Sequence, residues 1–414
     1  MWKVIEITKS EIASNNEHLL KIEAVKKVDH KLTYNEFFHN YLINNEPCIF
    51  DSTITDCWPS RHQWVSKDAP NFEYLAGQFG QVTVPIYNCR KKHFNSQLRV
   101  SMNMQEYIDY WVKYRRNNYI DDMPLLYLKD WHCAKEFADL VYYEVPYYFA
   151  SDWLNEYYIA KPELNDDYMF VYMGPKGTWT PLHKDVFQSY SWSANIVGRK
   201  RWLLIPPNQE NQFRDVRGEL AYDVFSDDLK DRSKYKDYDD NNLKCIEVIQ
   251  EPGEIIFVPS GWHHQVWNLE DTISINHNWI NGCNINAVWL DLKEHFSSVM
   301  KEVDDVKDMI DWDKHCQVIM EISHGMNYGQ FYSFLSFIAE KRLDFITKGI
   351  KTISFDKYEY GKNHCFFDLK MLKTVLEDFI IEIEEKCIYN LISTEVQPAD
   401  LLETINCVLR NENE

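Results

Sequence analysis

Hydrophobic and polar positions change rhythm twice along the chain. Over residues 1–150 the pattern is mixed. Tyr34–Ile43 carries aromatic residues on one helical face, and Met104–Tyr114 reads as a second helix. Glu46–Phe50, with Trp58-Pro59 soon after it, and Val82–Tyr87 read as strands. From 151 to 282 the helical period fades. Short β-rich runs replace it at Tyr168–Met173, Ser189–Val197, Lys200–Ile205, Glu254–Val258, Gln265–Asn268 and Thr272–Ile280. Gly174-Pro175, Gly198, Pro206-Pro207, Pro252-Gly253 and Pro259-Ser260-Gly261 punctuate them. Many short strands between turn signals predict a sandwich or barrel. From 283 to 414 helical spacing returns. Ile285, Val288, Trp289, Leu292, Phe296 and Val299 form one stripe, and Phe331, Phe334, Leu335, Ile338 and Phe345 a second. Leu372, Val375, Leu376, Phe379 and Ile383 form a third. Each stripe is a buried face, packed on the rest of the chain or on a second copy as a homodimer surface.

Composition narrows the classes. The chain has 414 residues, enough for two to three units of roughly 150 residues each. Hydrophobic residues at 45% and charged residues at 26% describe a globular protein, with no internal repeat. Lys plus Arg is 44 against 64 Asp plus Glu, a net charge of −20. That surface repels phosphate backbones, excludes general nucleic-acid binding and favours a basic polypeptide partner. The stretch 214–242 concentrates the acid in Asp227, Asp228, Asp231, Asp237, Asp239 and Asp240. It reads as a solvated insertion between two strands, or as a rim that recognises a basic partner. No apolar run reaches the roughly 20 residues that span a bilayer, and Met1-Trp2-Lys3-Val4-Ile5-Glu6 lacks the features of a secretory signal. The ten Cys form no C-x-x-C pair, which disfavours disulfide frameworks and zinc fingers and suits the cytoplasm or the nucleus.

One short constellation carries chemistry. In His183-Lys184-Asp185, an imidazole and a carboxylate stand two positions apart, on one face if the segment is a strand. His264 lies beside a later strand and can supply a third ligand. Two His and one carboxylate on one side of an ion leave its other positions open, the facial triad of non-haem Fe(II) oxygenases. His263 and His264 are neighbours, so on a strand only one of them faces the ion. His132 and His277 are lone histidines and weaker rivals.

Residues 174–207 and 251–269 resemble the JmjC family of Fe(II)- and 2-oxoglutarate-dependent oxygenases. The matching features are His183-x-Asp185, the run Gly198-Arg199-Lys200-Arg201-Trp202 leading to Pro206-Pro207, and Pro252-Gly253-Glu254 through Val258-Pro259, Gly261-Trp262 and His264. The likeness continues more weakly through Tyr34–Trp58 and Pro124–Asp130. It implies a mainly β fold with helices, a double-stranded β-helix of eight strands in two facing sheets over 151–282. The 1–150 region would pack on it, and the C-terminal helices outside it. It implies His183, Asp185 and His264 as iron ligands, with one residue between Trp262 and the ligand selecting His264. The co-substrate is 2-oxoglutarate and the oxidant O2. Strand alternation sets Lys200 opposite Arg199 and Arg201, and the resemblance makes Lys200 the anchor of the distal 2-oxoglutarate carboxylate. Thr180 and Tyr127 would donate hydroxyl hydrogen bonds to it. Asn276 matches a position that often touches the co-substrate, Asn278 shares its face, and Ser193 stands where some relatives carry Asn.

The triad alone does not separate hydroxylation from N-methyl demethylation. The chain lacks reader modules and zinc clusters, and so looks like a JmjC-only protein. Its layout is most similar to a JmjC-only lysyl hydroxylase type. That similarity implies hydroxylation of a lysine side-chain carbon in a polypeptide-chain release factor. The alternatives are a histone or other protein N-methyl-lysine demethylase, a catalytically inactive binding module, and a small-molecule cupin with another metal. The presence of His183, Asp185, His264 and Lys200 together argues against the last two.

Overall fold

Eight strands alternate between two facing sheets except at the fourth and fifth, which share one: β1 (Met169–Gly174), β2 (Trp179–His183), β3 (Tyr190–Val197), β4 (Lys200–Ile205), β5 (Ile246–Gln250), β6 (Ile255–Val258), β7 (His263–Asn268) and β8 (Thr272–Trp279). The smaller sheet has the order β2-β7-β4-β5, and its β2–β7, β7–β4 and β4–β5 pairs are antiparallel. The larger sheet contains the run β6-β3-β8-β1. This alternation is the double-stranded β-helix that the sequence resemblance implies. The computed structural model describes residues 3–8, 22–239, 242–389, 392 and 395–411.

The larger sheet grows at both ends into nine strands. Lys26–Val28 and Cys48–Phe50 join beyond β6, while Leu126–Trp131, Thr83–His93 and Ser96–Asn103 join beyond β1. Period-2 alternation explains its two faces. Along β3 the residues Trp192, Ala194 and Ile196 are apolar and fully buried. Ile273 and Ile275 of β8 and Ile255 and Phe257 of β6 join them in one large cluster with Phe37, Phe50 and Phe149. The alternate positions Ser191 and Ser193 of β3, and Ser274, Asn276 and Asn278 of β8, look into the space between the sheets. The inner space is therefore polar along β3 and β8, while Ile49, Trp202, Leu204, Ile256, Val258 and Trp262 form an apolar cluster along β4 and β6.

Several strands lie outside the sequence pattern. β2 contains Pro181, which weakens its reading as a strand, yet it is an edge strand, where proline costs no ladder bond to a second neighbour. Ser96–Asn103 is an edge strand whose apolar positions Leu98, Val100 and Met102 stay half-buried or exposed. Tyr34–Ile43 is helical as expected, starting as an α-turn at Tyr34–Phe37 and widening to a π-helical turn at Phe38–Leu42. Its N-terminus is fixed by a capping box between Thr33 and Glu36.

The acidic insertion between β4 and β5 is more than a solvated loop. Phe213, Ala221, Val224, Leu229, Tyr235 and Tyr238 turn inward and bury Leu182, Leu203 and Ile205 on the outer face of the smaller sheet. Its aspartates stay at the surface, and Asp240 lies outside the described residues.

The C-terminal region is a helical block: α1 (Ile285–Glu302), α2 (Trp312–His324), α3 (Tyr328–Lys348), α4 (Lys362–Glu385) and α5 (Pro398–Arg410). The three apolar stripes face one another inside the chain, with only Phe345 partly buried against the other core. A homodimer surface would therefore use other residues of these helices. A buried ionic knot ties the block to the β-sheets. Arg342 of α3 is fully buried. Its Nη1 and Nη2 donate to both oxygens of Glu156 at 2.9 and 3.0 Å, and its Nε donates to Asp368 of α4 at 2.8 Å. Glu156 lies in the short helix Trp153–Ala160, which leads into β1. The Tyr360 ring covers the guanidinium at 4.0 Å.

Removing one partner from such a knot leaves the others charged in a dry interior. Arg342→Met is expected to cost about 3–5 kcal/mol of unfolding free energy, read by urea denaturation. A loss under about 1 kcal/mol, the range of surface pairs, would contradict this account of the knot.

Candidate active site

His183 is the last residue of β2, and Asp185 opens the one-turn 3-10 helix Val186–Gln188. The two ligands thus straddle a strand end and a turn, and do not share one strand face as the spacing suggested. His264, the second residue of β7, is the direct cross-strand partner of His183. The two rings lie 4.2 Å apart between centroids. His264 Nε2 is 4.0 Å from Asp185 Oδ2. One ligand atom from each of the three residues falls within 4.8 Å of the others, a set able to hold a metal ion.

Hydrogen bonds orient each member. His183 Nδ1 donates to the Pro181 carbonyl at 2.8 Å, and His264 Nδ1 to the Trp262 carbonyl at 3.1 Å. A carbonyl only accepts, so both protons sit on Nδ1 and both Nε2 lone pairs are free for an ion. Desolvation, with the neighbouring His264, pushes His183 down to about 4, which keeps it a neutral ligand at physiological pH. Ser191 Oγ donates to Asp185 Oδ2 at 2.6 Å, fixing one carboxylate oxygen. Two imidazoles that turn Nε2 toward a held carboxylate fit a divalent first-row ion with open positions.

Lys200, Thr180, Tyr127, Ser193, Asn276 and Asn278 line the same cavity as the triad. Lys200 is buried, its Nζ donates to Ser274 Oγ at 2.7 Å, and it has no carboxylate partner among the described residues. Burial draws its ammonium down to about 7. Ser193 Oγ is buried and has no hydrogen-bond partner among the described residues. An unpaired cation and an orphan hydroxyl beside a metal-binding triad fit a small dianion that reaches from the ion to Lys200. Tyr127 packs against Gly174, where a Cβ would come within 2.6 Å of its ring. Glycine there is what lets the tyrosine enter the cavity.

The remaining candidates lie elsewhere. Arg199 pairs with Glu270, and Arg201 pairs with Glu247, both on the outer face as alternation requires. His132 Nδ1 is 2.6 Å from Asp167. His277 stacks on Trp192 with centroids at 4.3 Å and meets the Tyr143 hydroxyl at 2.6 Å. His263 lines a different cleft, with Lys184, Asp291 and His324. Ser191, Tyr172, Trp192 and Trp202 also line the triad cavity and were not singled out from sequence. The strict alternation of Ser189–Ile196 held the signal for Ser191. Tyr172 donates to Asp130 Oδ1 at 2.6 Å, and Tyr87 donates to Asp130 Oδ2 at 2.7 Å, contacts between strands that no local pattern reveals.

Comparison with known proteins agrees with this geometry. Residues 34–284 match the family described as Cupin-like domain. The chain is 47% identical over 364 residues to the 2-oxoglutarate and iron-dependent oxygenase JMJD4 of Gallus gallus, covering 86% of this chain and 85% of the relative. It is 43% identical over 395 residues to the protein of the same description in Danio rerio, covering 93% of each. It is also 40% identical over 333 residues to the arginine-specific demethylase JMJ20 of Arabidopsis thaliana, covering 76% of this chain and 70% of that one. The coverage takes in the double-stranded β-helix and most of what surrounds it, so the chain belongs to the JMJD4 family of JmjC oxygenases that use Fe(II), 2-oxoglutarate and O2.

Proposed function

We propose that this oxygenase hydroxylates a side-chain carbon of a lysine in a polypeptide-chain release factor, acting in the cytoplasm. The observation that carries the catalytic part is the single cavity in which His183, Asp185 and His264 meet Lys200. The substrate part rests on the likeness to the lysyl hydroxylase type, and the net charge of −20 suits a basic target. No helix among the described residues is long and apolar enough to cross a membrane, so a polypeptide in solution is a reachable substrate.

His183 and His264 would hold the ion through Nε2, and Asp185 would supply the anionic ligand, its Oδ2 fixed by Ser191. The bound iron, with 2-oxoglutarate and O2, supplies oxidative decarboxylation and transfer of one oxygen atom to a nearby C–H bond. Lys200 would neutralise the distal carboxylate of the co-substrate, with the Thr180 and Tyr127 hydroxyls in the same cavity as its donors. Burial raises the Tyr127 phenol far above its ordinary range, so it stays a donor throughout the working pH. Asn276 and Ser193 complete the polar wall. The second reading, removal of an N-methyl group, is favoured by one observation: the Arabidopsis relative is described as an arginine-specific demethylase.

Three outcomes check the proposal. Asp185→Ala should abolish succinate formation while the folded chain keeps its melting temperature, and turnover at the wild-type level would refute the triad. Lys200 loses its proton near pH 7 when no anion is bound. Affinity for 2-oxoglutarate should therefore fall as pH rises from 7 to 9, by up to about ten-fold per unit. Titration calorimetry on the metal-loaded protein reads this, and Lys200→Met should bind weakly at every pH. A flat wild-type profile would contradict the role of Lys200. For the substrate, intact-peptide mass spectrometry with release-factor and histone peptides should show one added oxygen on an unmethylated lysine. Loss of a methylene unit from a methylated peptide would instead establish the demethylase reading.

A further inference from the structure

We infer that Asp291 of α1 is a positioning residue for Asp185, and that through it the C-terminal helices hold the turn that carries this ligand. Three donors from two elements converge on its carboxylate. Lys184, the residue between the two ligands, ion-pairs with Oδ1. Gln188 Nε2 donates to Oδ1 at 3.0 Å. His324 Nε2, at the end of α2, donates to Oδ2 at 3.0 Å. Asp291 is a buried carboxylate at the edge of the apolar face of α1, lining a cleft with Glu294, His295 and Ser298, and an unpaired charge there would be costly. These partners hold it ionised, far below the ordinary carboxylate range.

The turn needs such a restraint. Phe187 and Gln188 both take left-handed backbone conformations, at φ of 57° and 50°. Each costs on the order of 1 kcal/mol for a side chain with a Cβ. Two in succession would relax to ordinary backbone unless other contacts over-determined them. Those contacts are present on both sides. The Phe187 ring is buried against His324 and Tyr168, with centroids at 5.4 and 5.6 Å. The Gln188 carbonyl accepts from Ser260 Oγ. Asp185 lies between the pinned Lys184 and the buried Phe187, so its backbone position is set from both directions. Its carboxylate then meets Ser191 and the two imidazoles with no freedom to swing away. Without Asp291, the Lys184 and Gln188 side chains lose their anchor on α1, and the turn keeps its packing of Phe187 on His324.

The inference rests on the triad as the metal site, and the experiment separates the two claims. Metal-free full-length protein is titrated with Mn(II), and free Mn(II) is counted by electron paramagnetic resonance. The variants are Asp291→Asn, Lys184→Met, both together, and Asp185→Ala. Asp291→Asn and Lys184→Met should each weaken Mn(II) binding roughly ten-fold, as loss of an outer partner of a metal ligand does. The double variant should bind no more weakly than the worse single one, because both act through one contact. Lys184→Met covers the case in which Asp291→Asn does not fold, since the Lys184 side chain is 33% exposed. A residue that served stability alone would lower the melting temperature and leave metal affinity unchanged. Binding that depends on Asp185 but is indifferent to Lys184→Met overturns the inference alone. Binding that Asp185→Ala does not weaken overturns the triad, and the inference with it.

Discussion

A lysine ammonium buried between two β-sheets, with no carboxylate partner among the described residues, sets the terms for this fold. Lys200, two imidazoles, Asp185 and a row of serines and asparagines occupy the space that an ordinary sandwich fills with apolar side chains. That part of the interior contributes little hydrophobic stabilisation and is costly to desolvate. Apolar burial must then come from the outer faces of the sheets. The largest cluster does lie on the outer face of the larger sheet, under residues from the N-terminal region. The acidic insertion covers the smaller sheet in the same way. The flanking regions are what make a polar interior affordable.

The C-terminal helices answer a second demand, precision at the open end. A facial triad works only if its ligands stay put, and two of the three sit next to a strained turn. Among the described residues, two buried ionic clusters join the helical block to the part of the chain that carries the site. Arg342 binds Glu156 and Asp368 away from the site, and Asp291 gathers Lys184, Gln188 and His324 beside it. Both use buried carboxylates, whose directional bonds fix geometry in a way that apolar contact does not.

Much of the site was legible because its chemistry is local in sequence. His183-x-Asp185 and the Lys200 strand are short motifs, and β4 runs over Lys200–Ile205 as read. The long helices were legible from their stripes. α2 buries few residues, among them Cys316, Gln317 and Met320, and α5 buries Pro398, Leu401 and Ile405, too little to stand out as a stripe. β2 was masked by Pro181. The insertion looked solvated because its aspartates outnumber its apolar residues, although the latter decide its packing. Asp291 was invisible for a related reason. A pattern of apolar positions passes over a charge on the buried face, and its partners lie over 30 residues away or more.

The central claim is that one cavity holds an ion at His183, Asp185 and His264 and a dicarboxylate that spans from that ion to Lys200. Anaerobic titration of Fe(II)-loaded protein with 2-oxoglutarate tests it most directly. The account predicts a visible charge-transfer absorption that saturates at one 2-oxoglutarate per chain, needs far more co-substrate in Lys200→Met, and is absent in Asp185→Ala. Saturation at the same concentration in Lys200→Met, or an undiminished band in Asp185→Ala, would contradict it.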